Sequence, residues 1–263
     1  MKEPVLFKNA NELLKQSSFH VAETAKRDER KRLFREWGEH GTEAATFDLT
    51  ADENSDFEYV LFQNHAKTSE TVGRIVLQAK RGAKIRLILV QYGSTKSQLQ
   101  IEARCDGEGS EIEIRGLQDA RATQKLSMDF HSLHAVPHTK SDLQVWCVAR
   151  DQSQSIFNGL MTIAHGAHHT EAYQKNKNLL LSPKAVIDTF PKLFIANDDV
   201  KAAHGSSTST LNPDQFIYLQ SRGIDRDEAE RMLTQGFIRQ ALAGISDESI
   251  QTRILDAMEV GHE

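Results

Sequence analysis

Between residues 74 and 164 the chain offers a succession of strand-like stretches and no stretch of convincing helical period. RIVLQAK (74–80), KIRLILV (84–90), LQIEAR (99–104), EIEIRGL (111–117), KLSMDF (125–130), LQVWCVA (143–149) and SIFNGLMTIA (155–164) alternate or run apolar with β-branched residues. Period-two alternation of this kind marks half-buried strands. Turn signals separate them: RGA (81–83), YGS (92–94) and DGEGS (106–110). Strands recur every 10 to 18 residues, which leaves no helix to make crossovers. An antiparallel sandwich and a coiled β-solenoid both fit this spacing. AYQKNKNLLLSPKAVIDTFPKLFIANDDVKAA (172–203), with short strands and single bends in place of hairpin turns, favours the solenoid. Asn176 and Asn178 suit the tight corners of its rungs, where side-chain amides cap backbone groups, and suit ordinary surface loops equally well on spacing alone.

The flanks differ. Residues 10 to 40 read as helical, with Phe19, Ala22, Ala25, Leu33 and Trp37 on a broken apolar stripe that His40-Gly41 ends. After Leu211, Asn212-Pro213 supplies a cap residue and a first-turn proline, and that helix closes near Arg222-Gly223. Asp225 with Glu228 makes a capping-box-like start for a second helix, whose buried stripe is expected at Ala229, Met232, Leu233, Phe237 and Ala241. A third, from about Ser246 to Val260, carries Ile250, Ile254, Leu255 and Met258 on one face. The expected organisation is an N-terminal helical region at 1–45, a β-helix core at 46–210 and a C-terminal helical domain at 211–263.

A formal charge of −5 argues against general nucleic-acid binding, and the mixed-sign run AKRDERKRLFREW (25–37) reads as a solvated face. Two cysteines, Cys105 and Cys147, form no CxxC pair, so neither a disulfide framework nor a zinc ribbon is expected. With no apolar run near bilayer length, a cytoplasmic protein is expected. The histidines of HSLHAVPH (131–138) and HGAHH (165–169) lack the helix and glutamate of HExxH, and read as strand-end residues. The GxSxG, P-loop and GxGxxG motifs are all absent from the sequence. A serine of GSSTST (205–210) with His204 and Asp198 or Asp199 would be a poor triad, since triad members normally converge from distant positions.

Residues 157–224 carry FNG (157–159), AYQKNKNLLLS (172–182), P-x-L-x-I (191–195), DDVKxxHG (198–205) and FIYLQSRGI (216–224), and DEAERMLTQGF (227–237) follows. This ordered set resembles the SufB/SufD family of iron–sulfur cluster assembly proteins, SufD more closely than SufB. The resemblance is close over 125–245, reaches 70–125 in strand pattern only, and barely touches 1–70. The chain is shorter than typical members, chiefly on the N-terminal side, which points to a minimal SufD or to a relative that has lost part of the cycle.

The resemblance implies a right-handed parallel β-helix, flanked by an N-terminal helical region and followed by a C-terminal α-helical domain. It implies a scaffold with no catalysis of its own. Such a scaffold pairs with a SufB-like subunit through the β-helix and docks a SufC ABC-type ATPase through the C-terminal helices. Arg222, Gly223 and Phe237 lie in the segment that matches the docking part. His204 falls on the family's histidine in DDVKxxHG, where it would be a cluster or iron ligand at the partner interface. Ala202 stands where SufD members commonly carry a cysteine. No tightly bound cofactor is expected, only a transient iron–sulfur cluster shared with the partner. A homodimeric cluster carrier and a β-solenoid hydrolase or lyase are the alternatives.

Overall fold

The computed structural model describes residues 10–17, 19–38 and 44–260. Fourteen strands wind into a two-sided parallel solenoid. Odd-numbered strands form one seven-stranded sheet, here sheet A: β1 (Phe19–Ala25), β3 (Ala44–Ala51), β5 (Glu70–Ala79), β7 (Lys96–Cys105), β9 (Lys125–His134), β11 (Gln154–Ile163) and β13 (Val186–Ile195). Even-numbered strands form sheet B: β2 (Arg30–Trp37), β4 (Asp56–His65), β6 (Lys84–Gly93), β8 (Glu111–Ala120), β10 (Lys140–Ala149), β12 (Thr170–Leu180) and β14 (Val200–Ser209). Each strand therefore hydrogen-bonds to the strand two places along the chain, as successive rungs require. The circuit lengthens along the chain, from Phe19 over Ala45 to Gln154 over Val186.

The helical expectation for residues 10 to 40 holds only for α1 (Ala10–Gln16); Phe19–Ala25 and Arg30–Trp37 are the first two strands. Phe19, Val21, Ala25, Leu33 and Trp37 are all odd-numbered and turn inward with period two. Ala22, placed on the helical stripe, is exposed. Neighbouring rungs stabilise this segment in the extended form, which overrides a weak local helical pattern. His40-Gly41 lies outside the described residues.

Corners are built by residues in the left-handed region. Asp28, Asn54, Gly82, Gly109, His138 and His169 recur at one corner, and Ser94, Ala122 and Asp151 at another, all with φ between 52° and 72°. RGA, YGS and DGEGS thus mark real bends. Asn176 and Asn178, in contrast, are not at corners. Both sit within β12 and are buried. Asn176 Nδ2 donates to the Val145 carbonyl at 3.4 Å, and Asn178 Nδ2 to Thr208 Oγ1 at 3.1 Å. The amides satisfy groups on adjacent rungs, which an interior position also rewards.

Helices cover parts of both sheets. Helix α1 lies on the outer face of sheet A, where Ala10 and Leu14 pack on Val72. The C-terminal helices are α2 (Pro213–Ser221), α3 (Arg226–Leu242) and α4 (Glu248–Val260). Their starts follow the expected caps: Asn212 accepts from the Asp214 amide and Asp225 from the Glu228 amide, both at 2.9 Å. Helices α3 and α4 lie on the outer face of sheet B, over Val60, Phe62, Ile88, Val90, Leu117, Trp146 and Val148. These strand segments are buried on both faces, so they run continuously apolar instead of alternating. Hydrogen bonds from Ser246 to Glu58, from Arg253 to Glu36 and from the Tyr92 hydroxyl to the Met258 carbonyl tie the helices to the sheet.

Candidate functional site

The interior changes character from one end of the solenoid to the other. One inward column of sheet B runs Leu33, Tyr59, Leu87, Ile114, Leu143, Gln174, His204. Its early members fill an apolar core; its last two are polar. Gln174 is buried, and neither its amide nitrogen nor its amide oxygen has a hydrogen-bond partner. His204 stacks over it in register on the terminal strand and is exposed. The next column ends in Asn176 and Ser206, and Ser206 Oγ lies 3.3 Å from Asn176 Oδ1 and 3.2 Å from Thr189 Oγ1. The last rung therefore closes the apolar core with an amide-and-hydroxyl lining that carries one imidazole.

His204 makes no hydrogen bond or ion pair with a described residue, so both ring nitrogens are available to an external ligand. Ala202 is two residues earlier on β14 and so shares its face. Ala202 is partly buried against Met161, Ile163, Ala167 and Ala172. A thiol at that position would face the same way as His204; alanine contributes no ligand. Neither cysteine of the chain reaches this end in thiolate form. Cys105 and Cys147 are fully buried, and burial pushes their thiols up to about 12 and about 11.

The triad geometry is not assembled. Asp199 Oδ2 pairs with His169 Nδ1 at 3.0 Å instead of with His204, and the GSSTST residues lie within β14 and the turn after it. The HxxH histidines diverge for a simple reason: an odd separation within a strand puts His131 outside and His134 inside. His131 reaches Thr162 Oγ1, whereas His134 is enclosed by Thr139, Ser141 and Ser132 hydroxyls. His138 stacks on His169 at a corner, with ring centroids 4.7 Å apart. Among the described residues no three metal-ligating side chains converge.

At the His204 end, the solenoid stops among the described residues at two unpaired edge strands, β13 and β14. Phe194, 63% exposed, and Val186 project from the outer face of β13, and Ile195 from its inner face. An unpaired edge flanked by exposed apolar side chains is a template for another chain.

A second exposed apolar surface lies on the helices. Helix α2 packs on α3 yet buries none of its own residues, leaving Ile217 and Tyr218 65% and 59% exposed, and Met232 of α3 is exposed as well. Met232 was expected on the buried stripe of α3; the face that meets sheet B is instead Ala229, Thr234, Ile238, Ala241 and Leu242. Phe237 is half-buried and lines a groove of about 360 Å³ with Leu211, Met232 and Leu233. Arg222 forms the C-cap of α2 and lies over the Tyr218 ring, and Gly223 takes φ of +84° to end the helix. Residue-level reading missed Ile217 and Tyr218. The available signal was FIYL (216–219), four consecutive apolar residues that a nine-residue helix cannot bury on one side.

A hollow of about 580 Å³ lies elsewhere, on the outer face of sheet A beside α1. Arg74 pairs there with Glu102, and Asp129 accepts hydrogen bonds from Gln98 and Asn158.

Fold and site together define a parallel β-solenoid protein with a helical unit seated on one sheet and a polar, histidine-bearing open end. Sequence comparison makes the class specific. Residues 12–237 match the family model described as SUF system FeS cluster assembly, SufBD core domain, and the chain belongs to that family. An iron–sulfur cluster assembly SufBD family protein of Synechocystis is 30% identical over 204 residues, covering 77% of this chain and 45% of the relative. The iron–sulfur cluster assembly protein SufD of Bacillus subtilis is 32% identical over 153 residues (58% and 35%), and that of Escherichia coli 34% over 108 residues (41% and 26%). The chain thus spans less than half the length of these relatives. Among the described residues no helix is long and apolar enough to cross a membrane.

Proposed function

We propose that the chain is a SufD-like scaffold without catalytic activity of its own, which pairs with a SufB-like subunit through the β13/β14 end of the solenoid and docks a SufC-type ATPase through α2 and α3. The observation that carries this reading is the open end itself. His204 is exposed and has no hydrogen-bond or ion-pair partner among the described residues; it lies on one of the two unpaired edge strands, and Phe194 is exposed on the outer face of the other. A neutral imidazole at such a seam is a good iron ligand, and thiolates or carboxylates from the other subunit would complete the set. The cluster is cargo: with Ala202 in place and both cysteines buried and protonated, this chain contributes one ligand and needs the rest from outside. The ATPase surface is centred on Ile217, Tyr218 and Met232, with Phe237 beneath and Arg222 and Gly223 at its margin.

Anaerobic reconstitution of the purified assembly tests the ligand role. His204→Ala should leave the complex intact and lower its acid-labile iron and sulfide several-fold. Unchanged cluster content in the variant complex would remove His204 from the ligand set. A cluster held by the isolated chain would favour a homodimeric carrier instead.

A further inference from the structure

A cavity of about 20 Å³ lies where sheet B meets α3 and α4, lined by Arg121, Arg150, Arg231, Thr234, Gln235, Ile238, Leu255 and Met258. Its charges do not balance. Asp119, on the outer face of β8, is fully buried and held by two guanidinium groups: Arg121 Nη2 at 2.7 Å from Oδ2 and Arg150 Nη2 at 2.9 Å from Oδ1. Burial works against its ionisation, but Arg150 and Arg121 together outweigh that and keep its carboxyl below the usual carboxylate range. Val148 pairs with Asp119 in register, so Arg150 and Arg121, each two residues on, are adjacent cross-strand neighbours of like charge. Among the described residues, two guanidinium charges against one carboxylate leave one positive charge uncompensated in a largely dehydrated place. Arg231 does not alter the sum, because Glu228 pairs with it. The face of Tyr92, 5.0 Å from Arg121, is the other electron-rich group at hand, and it carries no net charge.

Hydrogen bonding is also incomplete, and the missing bonds are all of one kind. Arg121 Nη1, Arg150 Nε and Thr234 Oγ1 are buried without partners. All three can donate, two of them obligatorily. Thr234 is 4% exposed, and its hydroxyl makes no bond back to its own helix. A buried donor left unsatisfied is destabilising, more so when it is charged. The residues carrying these atoms line the same cavity. Its volume admits one water-sized occupant. A water has two lone pairs and no charge, so it can satisfy neither all three donors nor the electrostatic excess.

We propose that this cavity binds a single halide-sized anion, chloride under ordinary conditions, held by Arg121, Arg150 and Thr234 between sheet B and the C-terminal helices. The anion brings the second negative charge that the arginine pair lacks and joins a helix side chain to two rungs. It therefore pins the helical unit to the solenoid. The site stands apart from the open end and from the exposed face of α2, so it holds whether or not the assembly role does.

The test uses the full chain in two ways. Crystals grown in sodium bromide should show an anomalous peak within hydrogen-bonding distance of Arg121 Nη1 and Thr234 Oγ1. In thermal melts at constant ionic strength, replacing gluconate by chloride should raise Tm by a few degrees and saturate. Thr234→Val should shift that titration to at least several-fold higher chloride, and Arg150→Gln should abolish the difference between the two salts. Overlapping melts in chloride and gluconate, or a bromide crystal whose cavity holds density without anomalous signal, would overturn the proposal in favour of a bound water. The bromide crystal needs no variant, so a substitution that fails to fold leaves the test intact.

Discussion

Gln174 and His204 mark where the solenoid stops being a closed core. Residue by residue, its ordinary positions follow inward–outward alternation, and the exceptions are polar groups facing inward. Buried thiols are the simplest of these. Cys105 and Cys147 are raised to about 12 and about 11 by burial, so neither is a thiolate at neutral pH. Native protein should leave both unmodified by a thiol reagent, and unfolded protein should react at two sites; rapid native labelling at either would contradict the burial. His134 offers a second check. It is fully buried among hydroxyl groups, and burial lowers it from 6.5 to about 4. The unfolded chain binds this proton more readily, so the stabilisation is complete above pH 6.5 and is lost as pH falls from 6.5 towards 4. The full span is on the order of 3 kcal/mol. Urea titrations should show stability falling across that window, and His134→Gln should flatten the slope. A slope unaltered in the variant would assign it to other groups. Asn176 and Asn178 show the limit of reading at this scale. Asparagine is a turn former in isolation, and only the neighbouring rungs reveal that both amides serve the interior.

The sheet A strands between Arg74 and Ile163 were legible because their outer faces are solvated or lightly covered, so alternation survives in the sequence; the covered sheet B strands among them were legible as apolar runs. Strand β2 was not. In RKRLFREW only Trp37 is fully buried, and the charged residues between give no clean period. Continuous runs such as Val60-Leu61-Phe62 have a cause that no local pattern contains: α3 and α4, almost two hundred residues on, cover their outer face. Helix α3 shows the same dependence. Its caps were readable, but its buried face includes Thr234, which a hydrophobic stripe would pass over. Helix α2 is the element whose sequence least suits a solvated life. Replacing Ile217 and Tyr218 together by serine removes nothing buried, so stability should change by no more than about 0.5 kcal/mol per site. The same double variant should lose co-purification with a SufC-type ATPase. Retained association would move the docking surface elsewhere.

At the scale of the whole molecule, the solenoid presents a helix-covered flank and an uncovered end. A parallel solenoid needs its terminal rungs protected for solubility and specificity. Here α1 lies over β3 and β5 on the outer face of sheet A, α3 and α4 lie over sheet B, and among the described residues the terminal edges, β1/β2 at one end and β13/β14 at the other, are unpaired. The motif DDVKxxHG runs into β14, so His204 lies on the last strand of the solenoid. What the motif could not supply is the polar gradient of the interior, because it depends on which residues from distant rungs share a column. The central claim is that the open end is a subunit interface. Size-exclusion chromatography with light scattering, on the full chain co-expressed with the SufB-like subunit and SufC-type ATPase of its own organism, tests it most directly when Phe194→Glu is compared with the unaltered protein. The account predicts a complex of all three subunits for the unaltered chain, and for the variant a folded protein that keeps the ATPase and loses the SufB-like subunit. A variant that still holds the SufB-like subunit with unchanged stoichiometry would contradict it.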